Sequence, residues 1–549
     1  MSLRWGWAFG VFLFCTGAAT VQADVPREIL NITERLFLNP TSPAVAGVAR
    51  IHQSDFINEL YQQSQHRPLW SLAEAGSLLE LLRSSEREGL NPSDYHYNQL
   101  LALLAEEGEA WTNPDVLRAQ FDVLLSDGLI LYARHLVEGK IDPRSLDETW
   151  NYDRQEYHDE DIARRMLAAT SYAQIKGLLE SLKPQGNFYR QMRLSLEYYR
   201  DLADTEQFFL IPADKVLKPG ESHSNVELLR RRMKQLSYLP PDSPETEYFD
   251  EQLAGAVRLF QGDHGIDADG IVGRQSYQVL NITFEQRVDQ LRINMDRLRW
   301  INQSVSDELL VVNIAGYELY YLKHGKLSWE TPVMVGTIDT RSPIFQAQLR
   351  YLEFNPTWNV PRSIIMRSLF GKFRADPQYV IDKRYRLYDS NGKSVDPLTL
   401  NWSNFTPSTF PYRVVQMPGP ANAMGQVKFM FPNRHAVYLH DTPSRALFSR
   451  TQRAFSAGCI RVKNPLELAR LLLDDPELWS AANIDALVER GDPQTVARIQ
   501  RKIDVMLMYW TVSPTGGSRI QFHPDVYGLD PGALVALDAS PSATRFASR

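Results

Sequence analysis

Near residue 308 the spacing of apolar side chains along this 549-residue chain changes from helical to strand-like, so the chain must be built from at least two kinds of folding unit. Upstream, LLELLRSSEREGL at 78–90 and FDVLLSDGLILYARHLVEGKI at 121–141 carry apolar residues every three or four positions, with Asn91-Pro92 and Asp142-Pro143 as breakers. Downstream, LLVVNIAGYELYYLK at 309–323 reads as two β runs joined at Ala315-Gly316. Further β runs are expected at 345–360, 426–432 and 435–440, and a last hairpin, 505–512 with 519–528, around Thr515-Gly516-Gly517. The fold class predicted is multidomain α+β.

The division that follows is a leader at 1–23, a helical scaffold at 24–217, a compact helical unit at 218–282, a basic helical connector at 283–307, a β-rich domain at 308–525 and a tail at 526–549. The leader has one early charge, Arg4, an apolar stretch too interrupted to span a bilayer, and Val21-Gln22-Ala23 at its end; it is expected to be a cleaved export signal. The β-rich domain is interrupted at 361–412 by a segment with a helical stretch, SIIMRSLFGKF, and a hairpin at Ser390-Asn391-Gly392-Lys393. That segment carries eight Lys/Arg against four Asp and is read as a lid, being far longer than an ordinary connection. The whole chain has 59 Lys+Arg against 66 Asp+Glu, a net −7, which excludes the positive field a nucleic-acid partner needs.

Cysteine usage narrows the chemistry. Only Cys15 and Cys459 exist, and Cys15 lies in the leader, so one thiol remains; it cannot form an internal disulfide. His435 and His440 both precede Cys459, but in an extended strand residues five apart point to opposite faces, so only one can face the thiol. His440, beside the polar Asp441-Thr442-Pro443 loop, is the candidate base, and His435 is structural. A thiol of pKa about 8.5 needs an imidazole or cation nearby to become a thiolate, so Cys459 is expected to titrate below a free thiol. Either the carboxylate or the carbonyl of Asp441 can hold the imidazole's other nitrogen. Gly458 allows close approach, and the N–H groups of Gly458 and Cys459 are candidate oxyanion donors. Arg461, two past the thiol, shares its face if the segment is extended and suits a substrate carboxylate. No metal-ligand cluster and no phosphate loop stand out, so no cofactor and no metal are expected.

Two stretches carry a family resemblance. Ala254 to Leu280, with Phe260-Gln261, His264-Gly265 and Asp269-Gly270-Ile271-Val272-Gly273, resembles the three-helix peptidoglycan-binding domain, although Arg274 stands where Thr is usual. Tyr438-Leu439-His440-Asp441-Thr442 with Ser456-Ala457-Gly458-Cys459-Ile460-Arg461-Val462 resembles the histidine and S-x-G-C-x-R signature of the L,D-transpeptidase (YkuD) catalytic domain. Arg341-Ser342-Pro343, Glu353 to Pro361, and Pro418-Gly419-Pro420 with Asn422-Ala423, Gly425 and Lys428-Phe429 agree with it. The arrangement is similar to the large periplasmic L,D-transpeptidases of Gram-negative bacteria.

That resemblance implies a sandwich-like catalytic domain with Cys459 as nucleophile, His440 as base, and Ser456, Asp441 and Gly458 in support; it implies substrate contacts for Arg461, Tyr438, Trp358 and Asn422. It implies peptidoglycan tetrapeptide stems as donor and acceptor, loss of D-alanine, a 3→3 crosslink between diaminopimelate residues, carbapenems as inhibitors, other cell-wall synthesis enzymes as candidate partners, and a periplasmic location. L,D-carboxypeptidase activity and a non-catalytic wall-binding protein are the alternatives. A papain-like protease lacks its local cysteine sequence.

Overall fold

The computed structural model describes residues 24–39, 50–107, 114–147, 150–152, 159–169, 171–301, 306–515 and 519–541, so the expected leader lies outside the described residues. As the 3.6-residue spacing predicts, the scaffold is helical. Its centre is the helix Pro114–Glu138, buried on nearly every side. A helix so enclosed must satisfy its own polar groups. Asp122 accepts hydrogen bonds from the Tyr61 hydroxyl at 2.6 Å and the Leu69 N–H at 2.9 Å, and Asp127 accepts from the Gln53 N–H at 2.8 Å and His96 Nε2 at 2.7 Å. The two buried carboxylates thereby staple three loops to the central helix.

Three helices, Ser224–Gln235, Glu251–Asp263 and Arg274–Leu280, enclose a separate core around Leu229, Phe249, Leu253 and Phe260. Gly265 and Gly270 adopt φ of +61° and +78°, as a tight loop there requires, and Gln261 braces that loop by accepting from the Gly270 N–H at 2.8 Å. The connector begins with a capping box: Thr283 and Gln286 exchange side-chain and backbone hydrogen bonds at the start of the helix Phe284–Arg299.

From Glu308 onward, among the described residues, eleven strands form one hydrogen-bonded sheet. Its order is Thr495–Arg498, Tyr351–Phe354, Val427–Met430, Leu439–His440, Ile460–Val462, Lys326–Gly336, Glu318–Lys323, Glu308–Asn313, Ile503–Met508 and Phe345–Gln348, with Ala454–Ser456 also on Lys326–Gly336. Lys326–Gly336 is the pivot. Its first half pairs with Glu318–Lys323 and is largely exposed, whereas its second half is buried against Ile460–Val462 and Ala454–Ser456. The sheet therefore curls on itself about one long strand, and this gives the sandwich-like core of Leu310, Val312, Val335, Leu352, Phe429, Leu439 and Ile460.

Two expectations are corrected. The run 505–512 does not form one arm of a hairpin: Ile503–Met508 joins the large sheet parallel to Glu308–Asn313, and only Val512–Pro514 pairs with Ile520–Phe522. The break falls where Thr511 is captured by the connector helix, its N–H donating to Asn294 Oδ1 at 2.9 Å. The run 435–440 is strand only at Leu439–His440, because Ala436 takes φ of +53° and turns the chain before it.

The inserted segment is a small unit with its own core of Phe370, Phe373, Val380, Leu387, Trp402 and Phe410. The expected hairpin is present, Tyr385–Tyr388 with Ser394–Val395, and it extends a four-stranded sheet rooted in Trp358–Asn359 and Arg413–Gln416. At the far edge of the large sheet, Phe345–Gln348 is met by the scaffold: Asn151 Nδ2 donates to the Gln346 carbonyl at 3.0 Å and Asn151 Oδ1 accepts from its N–H at 2.9 Å. The Tyr152 hydroxyl reaches the carbonyls of Phe345 and Leu507 at 3.0 and 2.6 Å.

Candidate active site

Strand register assembles the site. Leu439–His440 and Ile460–Val462 run parallel with Leu439 opposite Ile460 and His440 opposite Arg461, and the Ile460 N–H donates to the Tyr438 carbonyl at 3.1 Å. Continuing that register by one residue sets Cys459 across from Tyr438. On the other side His440 faces Lys428, and Lys428 in turn faces Glu353. Because side chains alternate along strands and align across them, Glu353, Lys428, His440 and Arg461 form one transverse row, with Tyr438 and Cys459 in the next row on the same face.

The imidazole is buried and held from below. His440 Nδ1 donates to the Asp441 backbone carbonyl at 2.5 Å, which leaves Nε2 as the unprotonated nitrogen. Of the two possibilities at Asp441 the carbonyl is the one used. Its carboxylate accepts instead from the Gln426 N–H at 2.9 Å and pairs with Arg445 at 3.3 Å. Gly425 makes this possible: at φ of +63°, a Cβ there would lie 2.3 Å from Asp441 Oδ2. Burial, and after it the neighbouring Arg461 guanidinium, hold the His440 pKa down to about 3, so the ring is neutral over the whole ordinary pH range.

Among the described residues no hydrogen bond joins His440 to Cys459. The thiol is hydrogen-bonded by Tyr438, and burial pushes its pKa up, against the opposing pull of Tyr438, Lys428 and Arg461. The resting pair is thus a neutral thiol and a neutral imidazole, contrary to the expectation of a thiolate titrating below a free thiol. Burial outweighs the cations here, because desolvation penalises the charged sulfur first.

The turn carrying the thiol is braced from inside. Ser456 Oγ accepts from the Gly458 N–H at 3.0 Å and donates to the Cys459 carbonyl at 2.5 Å. Ser456 therefore supports the turn of the thiol rather than the histidine, and the Gly458 N–H is committed to it. Gly458 has φ of +115°, a conformation costly for any residue with a Cβ. Ser342, within the Arg341-Ser342-Pro343 motif, donates to the Gly458 carbonyl at 2.7 Å and accepts from the Gly336 N–H at 2.9 Å.

Arg461 is half-buried on the thiol's face, as the extended reading required, with its Nε buried and unpaired among the described residues. Trp358 and Asn422 have other occupations. Trp358 belongs to the core of the inserted unit. Asn422, 1% exposed, donates to the carbonyls of Pro356, Gln416 and Met417 and accepts from the Met424 N–H at 2.7 Å, so its amide braces its own loop. His435 packs on the Phe345 ring with centroids 5.0 Å apart, well outside this row; the turn at Ala436, not strand parity, takes it there. Lys428, Glu353 and Ser342 were not picked out individually in the sequence, although all three lie in stretches that carried the resemblance.

In the scaffold, His52, His96 and Asp127 bring one potential metal-ligand atom each within 4.8 Å of one another. Asp127 is already engaged there by His96 Nε2 and by the N–H groups of His52 and Gln53, which makes the cluster a hydrogen-bonded staple.

Three family models agree with this architecture. Residues 307–495 match the L,D-transpeptidase catalytic domain (YkuD), residues 222–280 a family described as "Putative peptidoglycan binding domain", and residues 55–196 a scaffold domain. A Haemophilus influenzae protein named "Putative L,D-transpeptidase" is 28% identical over 515 residues, which cover 93% of this chain and 85% of that protein. Among solved structures, an L,D-transpeptidase from Xylanimonas cellulosilytica overlaps with a TM-score of 0.18 at 15% identity, over 54% of this chain and 99% of that one. One from Stackebrandtia nassauensis gives 0.22 at 11%, over 55% and 97%. The chain thus joins a C-terminal domain that matches the L,D-transpeptidase catalytic domain to a peptidoglycan-binding module and a helical scaffold.

Proposed function

We propose that this protein crosslinks peptidoglycan, transferring the acyl group of a tetrapeptide stem through a thioester on Cys459 to the side-chain amine of a second stem's diaminopimelate. The observation that carries the reading is the shared sheet face of Tyr438, His440, Cys459 and Arg461 within the matched catalytic domain. The thiol sulfur attacks the carbonyl at the L-centre of diaminopimelate, and its proton passes to His440 Nε2, the nitrogen left free by the Asp441 carbonyl. The tetrahedral intermediate collapses, the amide C–N bond breaks, and His440 returns the proton to the departing D-alanine amine. The acceptor amine then attacks the thioester, gives a proton to His440 and releases the sulfur, which regains it. Proton transfer concerted with attack suits a resting pair that is neutral on both sides. Arg461, with an unpaired Nε, suits a stem carboxylate. Carbapenems acylate the same sulfur, and the expected leader accords with a periplasmic site of action.

The test is incubation of purified protein with disaccharide-tetrapeptide, scoring dimer, tripeptide and D-alanine, beside Cys459→Ala. Dimer and D-alanine from the wild type and neither from the variant support the reading. Tripeptide and D-alanine without dimer would make the protein an L,D-carboxypeptidase. Turnover by the variant would remove Cys459 from the mechanism.

A further inference from the structure

With the Gly458 N–H committed to Ser456, only the Cys459 N–H remains of the two candidate oxyanion donors, and neither bears on the charge that develops at the sulfur itself. The transverse row supplies a cation nothing else in the site accounts for. Lys428 is only 12% exposed, its Nζ lies 4.5 Å from the centre of the Tyr438 ring, and its nearest carboxylate is Glu353 at 3.8 Å. Glu353 is itself fixed on the neighbouring strand by Gln494, which donates to its Oε1 at 3.2 Å. Tyr438 hydrogen-bonds Cys459, so Glu353, Lys428, Tyr438 and Cys459 form a continuous chain of contacts ending on the sulfur. A lysine so little exposed, at a distance too long for a tight ion pair, has its positive charge only partly compensated, and it lies against the ring of a phenol that bears on the thiol.

We infer that Lys428 is a positioning residue: held by Glu353 beneath the Tyr438 ring, it fixes the phenol on Cys459 and supplies the positive field in which the sulfur becomes anionic. This deepens the proposed function and rests on its reading of Cys459 as the nucleophile. Three groups bear on the sulfur, namely Tyr438, Lys428 and Arg461; Arg461 and Lys428 also bear on His440, and Glu353 bears on Tyr438. Lys428 alone among the cations touches both the phenol and a carboxylate that can be altered separately.

The experiment is the pH dependence of Cys459 alkylation by iodoacetamide in the full chain, followed by mass spectrometry, for wild type, Lys428→Met, Lys428→Arg and Glu353→Gln. Lys428→Met should move the midpoint up by about one pH unit and slow acylation by a carbapenem about tenfold. Lys428→Arg, which keeps the charge and the ring contact, should restore most of both, and Glu353→Gln, by releasing the lysine charge, should move the midpoint down. Opposite shifts from the two removals are a signature that loosened packing does not produce. Unchanged midpoints, or shifts in the same direction, would overturn the inference. Because alkylation is read without turnover, this result stands apart from the crosslinking assay on Cys459→Ala.

Discussion

His440 Nδ1 is anchored 2.5 Å from the carbonyl of Asp441, the very next residue, so the tautomer of the proposed base is set by its own main chain. A main-chain anchor cannot be removed by a side-chain substitution at 441. His440→Ala should therefore lower acylation by three or more orders of magnitude, a loss of about 4 kcal/mol or more of transition-state stabilisation, whereas His435→Ala should leave it within a few fold. Rates of carbapenem acylation followed by mass spectrometry decide between the two, and comparable losses would mean that His435 takes part.

The buried, raised thiol predicts a pH profile unlike that of a thiolate–imidazolium pair. Alkylation of Cys459 should still be rising above pH 9, since burial lifts its pKa above the ordinary value, with no plateau near neutrality. His440, neutral down to about 3, contributes no acid limb near pH 6. A plateau at pH 7 would show an ion pair in the resting protein.

Much of this could be read before the structure. The change of period at 308, the positive-φ glycines at 265 and 270, and the common face of Cys459 and Arg461 are local properties that spacing and residue type express directly. What could not be read depends on strands brought together from far apart in the chain. The pairing of Leu439 with Ile460 puts Tyr438 rather than His440 across from Cys459, and the pairing of Lys428 with His440 and Glu353 builds the charged row. The split of 505–512 was hidden because its cause, Asn294, lies on a helix more than two hundred residues earlier.

Asn422→Ala should act on stability. Its removal strands the Pro356, Gln416 and Met417 carbonyls in a buried place, at a cost of about 2–4 kcal/mol. Thermal melting should show a lowered Tm, with KM for stem peptide unchanged in the protein that remains folded. A raised KM at unchanged Tm would return Asn422 to the substrate.

Replacing residues 363–408 with a short Gly/Ser linker removes a unit that carries its own core, so the large sheet should persist. If the unit covers the groove as a lid, crosslinking of stem peptides should fall at least tenfold more than carbapenem acylation of Cys459. Parallel losses, or none, would leave the insertion without that role.

Four histidines, His135, His264, His440 and His523, are buried with depressed pKa values, His440 about 3 and His523 about 4, burial being the leading cause in each. Unfolded, each titrates near 6.5, so below that pH the unfolded chain binds more protons than the folded one. Their stabilisation is complete above about pH 6.5 and is lost as pH falls towards 4. Tm should decline over that window, and His523→Gln, which removes one of the four, should lessen the decline; a Tm that does not change between pH 6.5 and 4.5 would contradict the burial of these rings.

The hand-like grip of Asn151 and Tyr152 on Phe345–Gln348 has a consequence for how the protein can be divided. A terminal strand offers a row of open main-chain donors and acceptors to any other chain that can lie beside it, and in this molecule part of that row is answered by residues 195 positions earlier in the polypeptide. Cutting the β-rich domain free at its first strand would uncover a sticky margin. Asn151 and Tyr152 therefore act as the selvage of the sheet, occupying main-chain groups at its margin to which another strand could pair.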